Sequence, residues 1–157
     1  MIENDIYNWL STSGFEFGDE NNTSLAFELV NEELEELKYA LHTNNTQEIY
    51  DACIDLKWVL GNVMYFNSID LNKLKEYEEL VSISNWSKFA KTEQEAINTI
   101  EAYRSATHPS KLGTRIDSYY EKVGDYYVIK RHDGKILKSL LYTSVDQLLK
   151  KKENAHR

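Results

Sequence analysis

From Ala26 to Val63 apolar and polar positions alternate with a helical period, interrupted by the polar run His42 to Thr46. Counting about 100° per residue, Ala26, Leu29, Val30, Leu34, Leu37, Ala40 and Leu41 form one apolar arc roughly 140° wide. After the break, Ile49, Ala52, Cys53, Leu56, Val59, Leu60 and Val63 form a second apolar face. A connection this short makes two such helices antiparallel neighbours. Thr23 or Ser24 is the expected cap of the first helix and Thr46 that of the second, which runs from about Gln47 to Phe66.

The same pattern predicts a helix over residues 3–12, with Ile6, Trp9 and Leu10 on one side and Gly14 and Gly18 beyond its end. A further helix is expected from Ile69 to Ser82, capped by Asp70. Ser82 to Lys88 reads as a polar break holding Asn85, Trp86 and Lys88, and Thr92 to Tyr103 as another helix ended by His108-Pro109-Ser110. From Tyr119 the period falls to two. Tyr126 to Arg131 and Ile136 to Lys138 flank Asp133-Gly134, a strong short-range hairpin signal. Val145 to Lys152 predicts a last helical turn or two before a basic tail. The expected architecture is mainly α, an antiparallel helical bundle with a small C-terminal β-hairpin, in a single domain over 1–157 with 119–142 as the hairpin appendage.

The acids change this picture most. Five carboxylates and no base lie between Glu28 and Glu36. Glu33 falls inside the apolar arc and Glu36 at its edge, whereas Glu28, Glu32 and Glu35 point to solvent. Glu48, Asp51, Asp55 and Asn62 run down one edge of the second face. A carboxylate in apolar surroundings must find a cation or take up a proton, and neither arc contains a base. Packed together, the two faces would converge oxygen ligands suited to Mg²⁺ or Mn²⁺. The plainer alternative is a pair of amphipathic helices with solvated acidic faces.

The chain has 157 residues, 18 Lys and Arg against 26 Asp and Glu, and a formal net charge of −8. That balance argues against a general nucleic-acid or anionic-membrane binder, both of which reward a basic surface. Cys53 is the only cysteine, so no disulfide forms within the chain, and it is expected as a small core residue. Met-Ile-Glu-Asn-Asp lacks the basic region and apolar run of a secretion signal. The apolar run Trp58 to Phe66 is too short for a membrane span. A cytoplasmic protein is expected, in the host cytoplasm if viral. There is no Gly-rich phosphate loop, and His42, His108, His132 and His156 lack metal-ligand spacing.

Glu32-Glu33-Leu-Glu35-Glu36 followed by Glu48-Ile-Tyr-Asp51 resembles the Glu-Glu-x-x-Glu and Glu-x-x-Asp motifs of the MazG-like, all-α nucleoside triphosphate pyrophosphohydrolases. That superfamily includes dimeric dUTPases and phosphoribosyl-ATP pyrophosphohydrolase. Asp51-Ala-Cys-Ile-Asp55, Ser84-Asn-Trp-Ser-Lys88 and Asp133-Gly-Lys-Ile-Leu-Lys138 are similar to stretches of a phage and bacterial subgroup. The resemblance implies metal ligation by Glu33, Glu36, Glu48 and Asp51, with Asp55 an alternative to Asp51 because Asp55-Leu56 fits the motif as well.

It also implies Mg²⁺-dependent cleavage of a (d)NTP to (d)NMP and pyrophosphate in nucleotide-pool control, by a homodimer or dimer of dimers, with Mn²⁺ as a possible substitute. Glu33 or Asp55 would orient or deprotonate the attacking water. Lys88, Lys135 and Lys138 would hold phosphates, Asn85 a sugar hydroxyl or base edge, and Trp86 or Trp58 a base, although core packing is the leading expectation for the tryptophans. The competing readings are an acidic helical adaptor or inhibitor of a basic protein, and a nucleotide binder without hydrolysis. The first would draw on Glu28, Glu32 and Glu35 as much as on Glu33 and Glu36.

Overall fold

The computed structural model describes residues 2–155, so His156 lies outside the described residues. The chain is mainly α-helical with one two-stranded sheet. It divides into two compact units, Met1–Lys75 and Glu76–Arg157, with the division inside α4 (Leu71–Trp86).

The first unit contains α1 (Ile2–Thr12), a 3₁₀ turn (Glu20–Asn22), α2 (Thr23–His42) and α3 (Thr46–Phe66), with α2 and α3 packed along one another. The connection turns at Asn44, whose φ of 51° suits a short polar side chain. The caps sit slightly upstream of their expected places. Asp19, not Thr23 or Ser24, caps the entry through the 3₁₀ turn, and α2 follows Asn22 with no side-chain cap. Asn45 rather than Thr46 caps α3, its Oδ1 accepting from the Glu48 N–H at 3.4 Å.

Ile6, Leu10, Ala26, Tyr65 and Phe66 form the core, with Trp58 and Val63 against it. Burying each large apolar side chain contributes about 1.5–3 kcal/mol. The Tyr65 hydroxyl donates to the Phe15 carbonyl at 2.9 Å, and the Tyr7 hydroxyl to that of Ile69 at 2.7 Å. The expected apolar faces are only partly covered. Ala26, Ala40, Ala52 and Val59 are buried, but Trp9, Leu34, Leu41 and Leu60 are exposed. Cys53 is also exposed, contrary to its expected core position, because its neighbour Ala52 takes the inward position on α3.

In the second unit α5 (Glu93–Arg104) begins with a capping box. Thr92 Oγ1 accepts from the Glu95 N–H, and the Glu95 carboxylate accepts from the Thr92 N–H. Strands β1 (Ser118–Val123) and β2 (Tyr126–Arg131) pair antiparallel, with Tyr120 opposite Ile129. The expected hairpin is therefore displaced. It turns at Gly124-Asp125, with Gly124 at φ 59°. Asp133-Gly134 does fold the chain back, but onto β2 by a single bridge, Lys130 opposite Ile136, with Leu137 N–H donating to the Ile129 carbonyl at 2.9 Å.

The expected break at Ser82 to Lys88 is also displaced, since α4 continues to Trp86 and carries Asn85 and Trp86 on its last turn. Serines in mid-helix are tolerated here because Ser84 is buried, and Ser87 Oγ donates back to its carbonyl at 2.7 Å. Asp70 caps α4 as expected, its Oδ1 accepting from the Lys73 N–H at 2.8 Å. Ala90, Ala96, Tyr103, Ile129 and Leu137 form the second core, and α6 (Val145–Ala155) extends past the expected turn or two. Among the described residues, no helix is long and apolar enough to cross a membrane.

Candidate functional site

The acids Glu33, Glu36, Glu48, Asp51 and Asp55 all lie in the first unit, on the facing pair α2 and α3. Glu33 is half-buried, as its helical phase requires, and its Oε2 is buried with no hydrogen-bond partner. Burial raises its carboxyl pKa above the ordinary 4.5. The charges of Glu36, Asp55, Glu32 and Asp51 raise it further, in that order of strength. Carboxylates from both helices thus act on one buried oxygen, and of the two candidate aspartates Asp55 acts on it more strongly.

The other acids are more open. Asp55 is half-buried, while Glu36, Glu48 and Asp51 are exposed and line one groove of about 530 Å³ with Tyr39 and Asn45; Glu35, expected to point away to solvent, lines the same groove but is paired with Lys38. Among the described residues, none of the five acids is in an ion pair. Two of the four lysines of this unit are engaged elsewhere, Lys38 with Glu35 and Lys57 with Glu3 at 3.6 Å.

Asn62 has seven-residue spacing from Asp55 on α3, which puts both near one face, and its Oδ1 is likewise buried without a partner. The sequence pattern places it at the edge of the second apolar face, in line with Glu48, Asp51 and Asp55. Its signal was an amide between the apolar positions Val59, Leu60 and Val63.

Orphaned buried oxygens and a set of all-oxygen donors fit a hard divalent ion. Among the described residues, no three Asp, Glu, His or Cys side chains already stand close enough to hold one. The exposed side chains of Glu36, Glu48 and Asp51 have rotamer freedom to move closer.

The expected substrate residues lie in the second unit. Lys88, Lys135 and Lys138 come together on one cavity of about 760 Å³. Asn85 is tied to this group, its Oδ1 accepting from Lys88 Nζ at 2.7 Å. Trp86 is not part of that cavity. It packs on Phe89 and Tyr126 with ring centroids 5.5 Å away in each case, and lines a separate groove with Ile83 and Leu141. Trp58, in the first unit, packs edge-on against Trp9 at 6.1 Å.

Residues 15–80 match the family model described as phosphoribosyl-ATP pyrophosphohydrolase. The matched stretch holds all of α2 and α3, hence both acidic motifs, and it supports the resemblance to the MazG-like superfamily. The family points to a nucleotide pyrophosphohydrolase activity in general terms. No curated protein and no solved structure matches the chain significantly.

Proposed function

We propose that the protein hydrolyses a (d)NTP to (d)NMP and pyrophosphate with Mg²⁺, Mn²⁺ being able to substitute, a reading supported by the match of residues 15–80 to the phosphoribosyl-ATP pyrophosphohydrolase family model. One observation carries this reading. Glu33 has a buried oxygen without a partner, and four further carboxylates raise its proton affinity. Such a site is stable at neutral pH with a cation in it.

Glu33, Glu36 and Glu48, with Asp51 or Asp55, would hold the ion. A divalent ion held there would supply charge to offset the phosphates and would acidify a bound water. Glu33 or Asp55 orients the attacking water and accepts its proton. As the water oxygen bonds to phosphorus, the bridging P–O bond breaks and pyrophosphate carries away the electron pair. Within the second unit, Lys88, Lys135 and Lys138 are the candidate phosphate ligands, Asn85 beside Lys88 the candidate sugar or base contact, and Trp86, on its separate groove, the candidate for stacking on a base.

Exposed Tyr39, Leu41, Tyr50 and Ile54 on α2 and α3 support a homodimer or a dimer of dimers. Nucleotide-pool control in a cytoplasm, the host's if the chain is viral, is the role that follows from this chemistry.

The test is pyrophosphate release from a panel of (d)NTPs with Mg²⁺. Glu36→Ala is expected to lower the rate by at least about 100-fold, in line with loss of an ion ligand, while Glu35→Ala leaves it nearly intact. No release from any triphosphate, or equal losses in the two variants, overturns the proposal and favours an acidic adaptor.

A further inference from the structure

The net acidity of the chain conceals a division. The first unit has 4 Lys and Arg against 14 Asp and Glu, whereas the second has 14 against 12. Many of the second unit's bases gather on the cavity already described. Besides Lys88, Lys135 and Lys138 it is lined by Lys111, Arg115 and Arg131, contributed by the loop before β1, the end of β2 and the turn beyond.

Few counter-charges meet them. Asp133 binds Arg131, with Oδ1 accepting from Nε at 2.8 Å, and Asp117, also on the wall, lies 3.1 Å from His132 Nε2. Among the described residues, Lys88, Lys111, Arg115, Lys135 and Lys138 have no ion pair. Lys138 Nζ instead lies over the Tyr142 ring, 4.0 Å from its centroid.

Buried bonds fix the roots of this wall. The Tyr103 hydroxyl donates to the Lys138 carbonyl at 2.9 Å, the Ser139 N–H to the Lys88 carbonyl at 3.0 Å, and the Ser139 hydroxyl to that of Ser87 at 3.0 Å. Tyr103 and Ser139 are almost fully buried. Like charges held at fixed roots around a concave space are disfavoured until an anion enters. A site so preorganised binds multivalent anions in preference to single charges. Hydroxyls of Ser110 and Thr114 supply neutral donors on the same wall.

We propose that this cavity is an oligophosphate site that works without a metal ion, with Lys111 and Arg115 as ligands alongside the three lysines. It shares those lysines with the function proposed above but does not depend on hydrolysis. The oligophosphate is either the tail of the triphosphate substrate or that of a separate phosphorylated effector.

Calorimetry of the full-length protein with inorganic tripolyphosphate, in EDTA and at low salt, tests the site. Wild type and Glu33→Gln/Glu36→Gln are expected to bind alike, and Lys111→Ala/Arg115→Ala at least 10-fold more weakly, with Arg115→Lys recovering part of the loss. Amide spectra of the wild type give a check that needs no variant, with shifts expected over 110–117 and 131–138 and none over 33–55. No binding in EDTA, binding unchanged in the double alanine variant, or shifts confined to 33–55 overturns the proposal. The source of the ligand is read from kinetics. A loss of kcat/KM for the triphosphate in Lys111→Ala/Arg115→Ala identifies the substrate tail, whereas unchanged kinetics in that variant, with added tripolyphosphate altering the rate of the wild type alone, identifies an effector. Failure of pyrophosphate release would remove the proposed function while leaving the calorimetric result standing.

Discussion

Gly61 on α3 lies directly against Ile6 on α1. A Cβ built at Gly61 would fall 2.5 Å from Ile6 Cδ1 and 2.9 Å from its Cγ2. Ile6 is fully buried, so it has nowhere to swing. Gly61→Ala gains helix propensity of up to about 1 kcal/mol, but overpacking costs about 1–3 kcal/mol. A net loss of about 1–2 kcal/mol is expected in denaturant unfolding. Combining it with Ile6→Val, which removes Cδ1, should return part of that loss, so that the two changes couple in a double-mutant cycle. An alanine variant as stable as the parent would show that α1 stands off from α3.

The capping box at α5 offers a simpler measurement. Thr92 and Glu95 satisfy each other's N–H groups at the start of the helix that carries Ala96, Thr99 and Tyr103 into the second core. Thr92→Ala leaves the Glu95 N–H without its partner and is expected to cost about 1 kcal/mol. At this chain length that is a fall of about 2–4 °C in Tm. Thr92→Ser should recover most of it.

Which features were legible in the sequence follows from what decides them. Helices α2, α3 and α5 were readable because periodicity extends over several turns of each, and the phase of Glu33 foretold its partly buried carboxylate. The hairpin turn was misplaced because Asp133-Gly134 has the stronger local preference, whereas β2 pairs backwards across Gly124-Asp125 through register with β1. Ser84 looked like a helix breaker, yet tertiary burial kept α4 intact through it. A net charge of −8 concealed the basic cavity; the resemblance singled out Lys88, Lys135 and Lys138, but not Lys111 and Arg115, which packing of the second core brings onto the same wall from a separate stretch of chain.

His108 predicts an acid-sensitive second unit. It is almost fully buried and stacked on Tyr103 at 4.0 Å, with Nδ1 accepting from the Ser110 N–H at 3.1 Å. Burial pushes the imidazole below 6.5, and the carbonyls of Lys138 and Ser139 offset this only partly. With the folded pKa depressed, the unfolded chain takes up a proton near pH 6.5 that the folded one refuses. Stability is therefore full above about 6.5 and falls as pH drops below it, by at most about 1.4 kcal/mol per pH unit. His108→Phe should flatten the difference in Tm between pH 7.5 and pH 5.5. A His108 ring titrating at or above 6.5 by NMR would refute the assignment.

The apolar residues exposed on α2 and α3 predict self-association. Tyr39 and Tyr50 are 71% and 73% exposed, and Ile54 is 54% exposed. Light scattering should return a dimer or tetramer for the wild type. Ile54→Glu is expected to weaken association at least about 10-fold, since a charge buried in an apolar interface without a partner is strongly disfavoured. A wild type that stays monomeric at high concentration would contradict the reading.

Glu33 ties stability to metal in a way that separates its roles. Its folded pKa lies above the ordinary 4.5, so in metal-free protein it holds a proton that the unfolded chain has already lost. Stability then falls as pH rises through the interval between 4.5 and the raised value, and levels off above it. Glu33→Gln abolishes this cost. In EDTA at pH 7.5 the variant should melt at or above the parent, and the difference should vanish below pH 4.5. Mg²⁺ at 100 times its Kd should stabilise the parent by about 2.7 kcal/mol, a rise of about 5–10 °C in Tm, and the variant by much less. If Mg²⁺ left the parent's Tm unmoved while Glu33→Gln lowered it in EDTA, the carboxylate would be a structural group satisfied within the protein, and the ion would have no place between α2 and α3.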